Sequence, residues 1–281
     1  SLESLPQRFE DEAIPTLADR WIIARMKQMI ESVNRLFENY QFGEAGRQIY
    51  EFFWGEFADW YVEISKVQIA EGGDRAYLTI QTLVHVLDTC LRLLHPFTPF
   101  VTEELWGHLR DACQDTSAVL APESGWEDAL IIARWPEDLS MEGWENETIS
   151  DFNLVQEMVK TIRNIRSEYK VEPGHKIPCT ISAGDKTTLI ETQIMNLSAL
   201  AGLDVDNLTI IREPLPPSDD RVTLVISPVE ISLPLAGLVD AEAERSRIEK
   251  ELAEINSQIE RLEKLLSSPF AQKAPLAVVE K

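Results

Sequence analysis

A short run of basic side chains is the part of this sequence that could bind a phosphate-rich ligand. The stretch from Lys160 to Lys176 has five basic residues and only two acidic ones, Glu168 and Glu172. Four of the basic residues follow one another at steps of three, three and four: Lys160, Arg163, Arg166 and Lys170. This spacing places them on one face of a helix, which could follow a phosphate backbone. A solvated amphipathic face would have the same pattern, and both interpretations stay open.

No arrangement of residues typical of catalysis is found. The sequence has no GxGxxG, GxxxxGK, GxSxG or HExxH motif, the patterns that hold nucleotide phosphates, a serine nucleophile or zinc. The four histidines occur in unrelated contexts, which favours packed or solvated side chains. Glu103 and Glu104 could act as paired carboxylates, but they fall in the first turn of a predicted helix, where the helix dipole favours acidic residues. We therefore expect no catalytic residue and no metal ligand.

An aromatic-rich segment, "YEFFWGEFADWY" at residues 50–61, has two interpretations. Exposed rings could form a platform on which nucleic-acid bases stack. The rings also recur at helical spacing, which predicts that most of them fill the core of a helical bundle. The packing interpretation is favoured.

An apolar seam is predicted near the end of the sequence. Its residues are separated by steps of 4, 3, 4, 3 and 4: Ile248, Leu252, Ile255, Ile259, Leu262 and Leu266. Such spacing lines one narrow face of a helix that pairs with a second helix in a coiled coil. Too few residues follow to complete the partner helix. We expect the partner to lie outside this chain, or the seam to associate with another copy.

The composition predicts a cytoplasmic protein with two or three small domains. The apolar content is 44% over 281 residues, and no apolar run reaches the ~18 residues of a membrane helix. The net charge of −22 is unfavourable for binding phosphate backbones, since that affinity comes mainly from Lys and Arg. The three cysteines are far apart in sequence, which predicts free thiols.

Helical patterns in the first 112 residues position the aromatic segment. Thr16 is the expected N-cap of the first helix, with Asp19 three residues later. A second helix begins near Gly43 and stops at Gly72, a third ends before Pro96, and a fourth follows Pro99. Wide apolar faces and short connections predict an antiparallel bundle. Five residues of the fourth helix are expected to face its core: Phe100, Val101, Leu105, Trp106 and Leu109.

The second half predicts a different architecture. A helix capped by Ser150 carries the basic residues. It is followed by a strand, a second helix and three more strands, and the four strands are expected to form a small, mostly antiparallel sheet. The predicted fold is mainly α with a small α/β part, ending in a long heptad helix. Its expected divisions are a bundle at 1–112, an irregular strap at 113–149, an α/β domain at 150–236 and an incomplete coiled-coil arm at 237–281.

Several segments in the same order resemble a known family. "LADRWIIARM", "YEFFWGEFADWYVEISK" and "LLHPFTPFVTEELW" are similar to the anticodon-binding bundle of class I aminoacyl-tRNA synthetases for valine, isoleucine and leucine. "TIRNIRSEYKVEPGHKI" and the seam followed by "FAQKAPLAVVEK" resemble the valyl-tRNA synthetases in particular. The similarity covers nearly the whole chain.

The resemblance implies a tRNA-binding function in protein biosynthesis. In the family, a catalytic domain with HIGH-like and KMSKS-like sequences, which joins the amino acid to tRNA with ATP and Mg²⁺, precedes the bundle. An editing domain also precedes it, and the bundle opens with a helix of the "NKLWNAxRF" type. None of these is found in this sequence, so we expect a non-catalytic C-terminal piece of a longer enzyme, without cofactors of its own and with weak affinity for valine tRNA.

The expected tRNA contacts are the basic residues that precede the first strand and two arginines of the first helix: Lys160, Arg163, Arg166, Lys170, Lys176, Arg20 and Arg25. The alternative function is a helical scaffold or interaction protein that acts through its coiled coil. That alternative predicts helix pairing that does not depend on RNA.

Overall fold

The fold is a helical bundle joined to a four-stranded sheet, as seen in a computed structural model. The structure describes residues 14–114, 120, 125–137, 139–216, 218–235, 252–261 and 263–264. Within this part of the chain, none of the helices has both the length and the hydropathy needed to cross a bilayer. The predicted fold class, mainly helical with a small sheet, is confirmed.

The first helix, α1 (Leu17–Glu38), begins at the predicted cap. The Thr16 hydroxyl accepts the Asp19 N–H at 3.1 Å, and the Asp19 carboxylate accepts the Thr16 N–H at 2.8 Å. This reciprocal capping satisfies two backbone donors that a helix start leaves free. The buried Asp19 also accepts the hydroxyl of Tyr61 at 2.7 Å, which ties the start of α1 to the aromatic segment.

The next helices complete the bundle. The second predicted helix comprises α2 (Phe42–Phe52), a π-helical segment (Phe53–Tyr61) and α3 (Val62–Glu71) in direct succession. It stops at Gly72, whose φ of 76° is a conformation that favours glycine. Helices α4 (Gly73–Leu94) and α5 (Pro99–Gln114) follow. The predicted helix positions are confirmed, whereas the π-helical segment was not expected.

Helix α5 corrects the prediction for its apolar residues. Trp106 is fully buried, and Leu109 packs beside it. Phe100, Val101 and Leu105 are instead exposed, Phe100 to 90%. The expectation that they face the core was wrong because α5 packs against α4 and the turn at Leu130–Ile132, and this packing leaves the three side chains exposed.

Helix α6 (Glu145–Glu168) begins five residues earlier than Ser150, the predicted cap. Its first residue, Glu145, is buried and accepts the backbone N–H groups of Glu142 and Gly143 at 2.9 and 2.8 Å. The Lys27 ammonium of α1 donates to the same carboxylate at 3.0 Å. Because these donors compensate the buried charge, they fix the start of α6 against the middle of α1.

The sheet has the order β2-β1-β4-β3. Strand β1 (Ile177–Ser182) pairs in parallel with β2 (Leu203–Ile211) and antiparallel with β4 (Val229–Pro234). Strand β3 (Arg221–Ile226) pairs antiparallel with β4. Two of the three pairings are therefore antiparallel, as predicted.

The helix predicted between β1 and β2 is interrupted. It forms two short helices, α7 (Thr187–Glu191) and α8 (Ile194–Ala201). At the break, the buried Gln193 accepts the side-chain amide of Asn196 at 3.0 Å, and its backbone carbonyl accepts the Leu197 N–H at 2.8 Å. These bonds start a new helix at a position that apolar periodicity cannot reveal.

One hydrophobic core runs through the bundle, α6 and the sheet. The strap is attached to the bundle at Asn34, whose side-chain oxygen accepts the Trp135 ring N–H at 2.7 Å. The division of the chain into four parts stays a prediction. Residues 252–261 are helical, with Leu252, Ile255 and Ile259 about half exposed. The other seam residues, Ile248, Leu262 and Leu266, lie outside the described residues.

The buried carboxylate at the start of α6 predicts a pH dependence of stability. Burial alone would raise the pKa of Glu145, but the backbone N–H groups and Lys27 lower this pKa from 4.5 to about 2. Since the folded value lies below the unfolded one, the stabilisation is complete above pH 4.5 and is lost as the pH falls toward 2. Glu145→Gln should weaken this acid dependence, as measured by urea unfolding across this range.

Glu147→Gln is the matched control, because Glu147 lies in the same helical turn and is exposed. It should leave the acid dependence unchanged. Equal effects of the two substitutions would contradict the assignment to Glu145.

Candidate nucleic-acid interface

An open cavity of about 570 Å³ lies where α6 ends. Its walls come from the last two turns of α6, the loop that leads to β1, and the end of α8 at residues 199–202. Four of the seven predicted contact residues line it: Arg163, Arg166, Lys170 and Lys176. The cavity therefore brings together basic groups from two helical turns and a loop.

The two arginines bind carbonyl groups at the end of α8. Arg163 Nε donates to the Leu200 carbonyl at 2.8 Å, and Arg166 Nη1 donates to the Gly202 carbonyl at 3.0 Å. Arg166 Nη2 also donates to the Glu172 carbonyl at 3.0 Å. A helix C-terminus has free carbonyls and a partial negative charge, so it is stabilised by cations. These arginines thus hold the cavity together.

Gly202 allows the arginine to come this close. Its φ is 69°, and a Cβ atom at this position would lie 3.0 Å from Arg166 Cζ. A larger residue would be strained both by its backbone conformation and by this contact. Burial lowers the pKa of the Arg166 guanidinium, as expected when part of a charged group leaves water.

The two lysines of the cavity differ from the arginines. Lys170 and Lys176 are exposed, and neither ammonium group forms an ion pair with another described residue. Lys170 has a φ of 53°, a conformation that is uncommon for a residue with a Cβ. Its backbone N–H donates to the Ser167 carbonyl at 3.1 Å, which closes the end of α6. Both ammonium groups are therefore available to an anion.

The other three predicted contacts do not line this cavity. Lys160 Nζ lies 5.6 Å from the ring centre of Trp60. Arg20 Cζ lies 4.9 Å from the ring centre of Trp144, a favourable cation–π geometry.

Arg25 is already neutralised within the bundle. Its Nε and Nη2 atoms each donate to the Glu56 carboxylate at 2.7 Å, and these bonds are the main reason that the pKa of Arg25 is raised. A nucleic acid would have to compete with Glu56 for this arginine, because two parallel bonds to a carboxylate are a strong arrangement. The predicted basic set is therefore not one continuous surface.

The aromatic segment mainly fills the core. Four of its rings are buried: Phe52, Phe57, Trp60 and Tyr61. The packing interpretation is thus confirmed for these residues. Tyr50 and Trp54 are exposed on the same side, with ring centres 6.3 Å apart.

The contribution of the end of α8 to the cavity was missed by sequence reasoning. Residues 199–202 have no charged side chain, and they contribute through backbone carbonyls. The left-handed Gly202 is the only local signal that α8 ends there. Across the described residues, no three His, Cys, Asp or Glu side chains come together as a metal site would require.

The part of the chain from α1 to β1 matches a known domain. The family model of the anticodon-binding domain of tRNA ligase matches residues 19–181. Because this match includes more than half of the chain, the chain belongs to the anticodon-binding domain family of tRNA ligases.

A second match identifies the branch of that family. Residues 240–281 match the model of the valyl tRNA synthetase tRNA binding arm. The resemblance to valyl-tRNA synthetases seen in the sequence is thereby confirmed.

Three curated relatives, each named valine--tRNA ligase, are similar over almost the whole chain. Those of Dehalococcoides mccartyi (strain ATCC BAA-2266) and Carboxydothermus hydrogenoformans are 37% and 36% identical, over 97% and 98% of the chain. That of Bacillus cereus is 36% identical over 94% of the chain. The chain spans 28–30% of the length of these relatives.

The close contact between Gly202 and Arg166 predicts the effect of a small substitution. Gly202→Ala should lower the free energy of unfolding by about 1–3 kcal/mol, because alanine must adopt a left-handed backbone and displace the guanidinium. Gly107→Ala in α5 is the control, since a Cβ there meets nothing within 4 Å. It should stabilise the helix by up to about 1 kcal/mol. Chemical denaturation measures the free energy of unfolding of both variants. If Gly202→Ala leaves this free energy unchanged, position 202 is not strained by a Cβ atom.

Proposed function

We propose that this chain is the tRNA-binding region of a valine--tRNA ligase. In this proposal the bundle receives the anticodon stem-loop, and the segment that matches the arm braces the body of the tRNA. One observation carries the proposal: the cavity at the end of α6 presents two exposed lysines that form no ion pair with another described residue, although the chain as a whole has a net charge of −22. The family match to an anticodon-binding domain supports the choice of tRNA.

The chemical step is proposed for the full-length ligase, which would join valine to its tRNA in the cytoplasm using ATP and Mg²⁺. The described residues do not fit either cofactor. They lack a cluster of three metal-ligating side chains, and the sequence has neither of the HIGH-like and KMSKS-like segments that the resemblance associates with the reaction of ATP. We therefore assign no step of the reaction to the residues of this chain.

The basic residues of the cavity have two roles in this proposal. Lys170 and Lys176 bind phosphate groups, because both residues are exposed and neither ammonium group is paired with a carboxylate of another described residue. Arg163 and Arg166 act as positioning residues, since their donors are already bonded to carbonyls of α8 and the loop. Lys160, Arg20 and Arg25 are proposed as secondary contacts outside the cavity.

Binding by the isolated chain should be weak and depend strongly on salt. Each neutralised phosphate contributes about 0.9 to the slope of log affinity against log salt concentration. Binding through only two principal lysines releases few counterions from the RNA. In addition, the acidic remainder of the surface repels RNA. Tight binding that is independent of salt would contradict this proposal.

Lysine substitutions test the proposed phosphate contacts. Lys170→Gln and Lys176→Gln should each weaken binding to valine tRNA and reduce the salt slope by about one. The measurement is electrophoretic titration of the tRNA at several low salt concentrations.

Arg212→Gln is the matched control, because Arg212 is exposed and follows β2 at the end of the sheet away from the cavity. It should leave the salt slope unchanged. An equal decrease in the salt slope for all three variants would show that binding depends only on total charge, which would contradict the proposed lysine contacts.

The half-exposed seam residues Leu252, Ile255 and Ile259 support a second proposal, self-association through this helix. Pairing would bury an apolar stripe that water otherwise contacts. Sedimentation velocity should detect a concentration-dependent dimer that Ile255→Glu abolishes and the neighbouring Glu254→Gln retains. A wild-type chain that stays monomeric at every concentration would refute this pairing.

A further inference from the structure

Helix α5 has apolar side chains on both sides. Trp106 is buried on the inner side, where its ring N–H donates to Asp88 at 2.7 Å. The outer side carries Phe100, Val101 and Leu105, all exposed. A surface helix normally has one apolar stripe, and a helix that is apolar all round is covered on both sides.

A neighbouring turn extends this outer face. The Glu103 carboxylate of α5 accepts the backbone N–H groups of Leu130 and Ile131 at 2.7 and 3.2 Å. These bonds fix a short 3₁₀ turn beside the first turns of α5. Leu130 is buried, whereas Ile131 is 72% exposed and Ile132 is also exposed. The exposed side chains of α5 and of this turn are here named the α5 outer face.

The charges around this face favour a protein over RNA. The acidic Glu103 and Glu104 lie between its apolar residues, and the imidazole of His108 faces Glu104 at 3.3 Å. Arg110 Nη1 is bonded to the carbonyls of Glu127 and Asp128. A phosphate backbone would meet these carboxylates, which disfavours binding. An apolar protein surface with a basic rim is complementary to this pattern.

We propose that the α5 outer face docks against another segment of the same longer polypeptide, one with an apolar surface and a basic rim. This inference rests on the proposed function, under which the chain is one region of a full-length ligase. The length comparison supports this occupant, because the chain spans only 28–30% of the relatives. Large exposed apolar patches are uncommon on monomers and mark interaction surfaces.

Thiol labelling tests the docking directly. The native cysteines Cys90, Cys113 and Cys179 are all buried, so a new exposed cysteine can be followed by mass spectrometry of its peptide. Phe100→Cys reports on the α5 outer face. Val225→Cys is the matched control, because Val225 is also an exposed apolar residue, at 71%, but lies on strand β3.

In the isolated chain, both variants should react at similar rates with a maleimide. In the full-length ligase, Phe100→Cys should react at least about tenfold more slowly, as expected for a side chain in the dry centre of an interface. Val225→Cys should keep its rate. Leu105→Cys provides a second position, and circular dichroism confirms that each variant is folded.

Three results would overturn the docking proposal. They are equal rates in the chain and the ligase, protection only after valine tRNA is added, and protection in the isolated chain that increases with its concentration. The second result would assign the face to RNA, and the third to another copy. Binding of valine tRNA by the same variants is measured in parallel. Loss of docking with retained tRNA binding would therefore leave the proposed function intact.

Discussion

The packing of α6 against α1 determines where the candidate interface lies. Trp21 of α1 stacks on Phe152 of α6 with ring centres 4.1 Å apart, and Phe152, Val155, Val159 and Ile162 are fully buried. Each such side chain contributes about 1.5–3 kcal/mol on burial. Because α6 also contacts α8 and β3, one rigid helix connects the bundle to the sheet. The basic residues at its end are therefore held at a fixed position relative to the bundle.

The arginines and lysines at this end follow different physical rules. Arginine has several donors in a planar group, and here those donors satisfy carbonyls that the end of α8 leaves free. Lysine is a compact point charge on a flexible chain, and Lys170 and Lys176 keep their ammonium groups in water. A cluster of basic residues can thus be divided into groups that build the site and groups that can meet a ligand. This division is the basis on which we propose a local phosphate-binding surface on an acidic chain.

Local sequence signals predicted the helices well. The pair Thr16 and Asp19 marked the start of α1, and Gly72 marked the end of α3, because caps and left-handed turns depend on residues next to each other. Helical periodicity also predicted the helices of the bundle. It failed for α5, where Phe100 and Val101 repeat like core residues but face outward. Periodicity shows that a face is apolar without showing what covers it.

The candidate site was predicted only in part. The basic residues were evident, but their partners are distant in sequence: Arg163 bonds Leu200, and Arg25 bonds Glu56. Such contacts depend on how the helices pack, which a single sequence does not show. Four of the seven predicted contact residues therefore line the cavity, and the other three lie outside it.

Hydroxyl-radical footprinting of valine tRNA bound to this chain at low salt tests the central claim most directly. The account predicts protection of the anticodon stem-loop, with that protection declining as salt increases. Uniform cleavage along the whole tRNA at every salt concentration, with the chain folded and in excess, would contradict it.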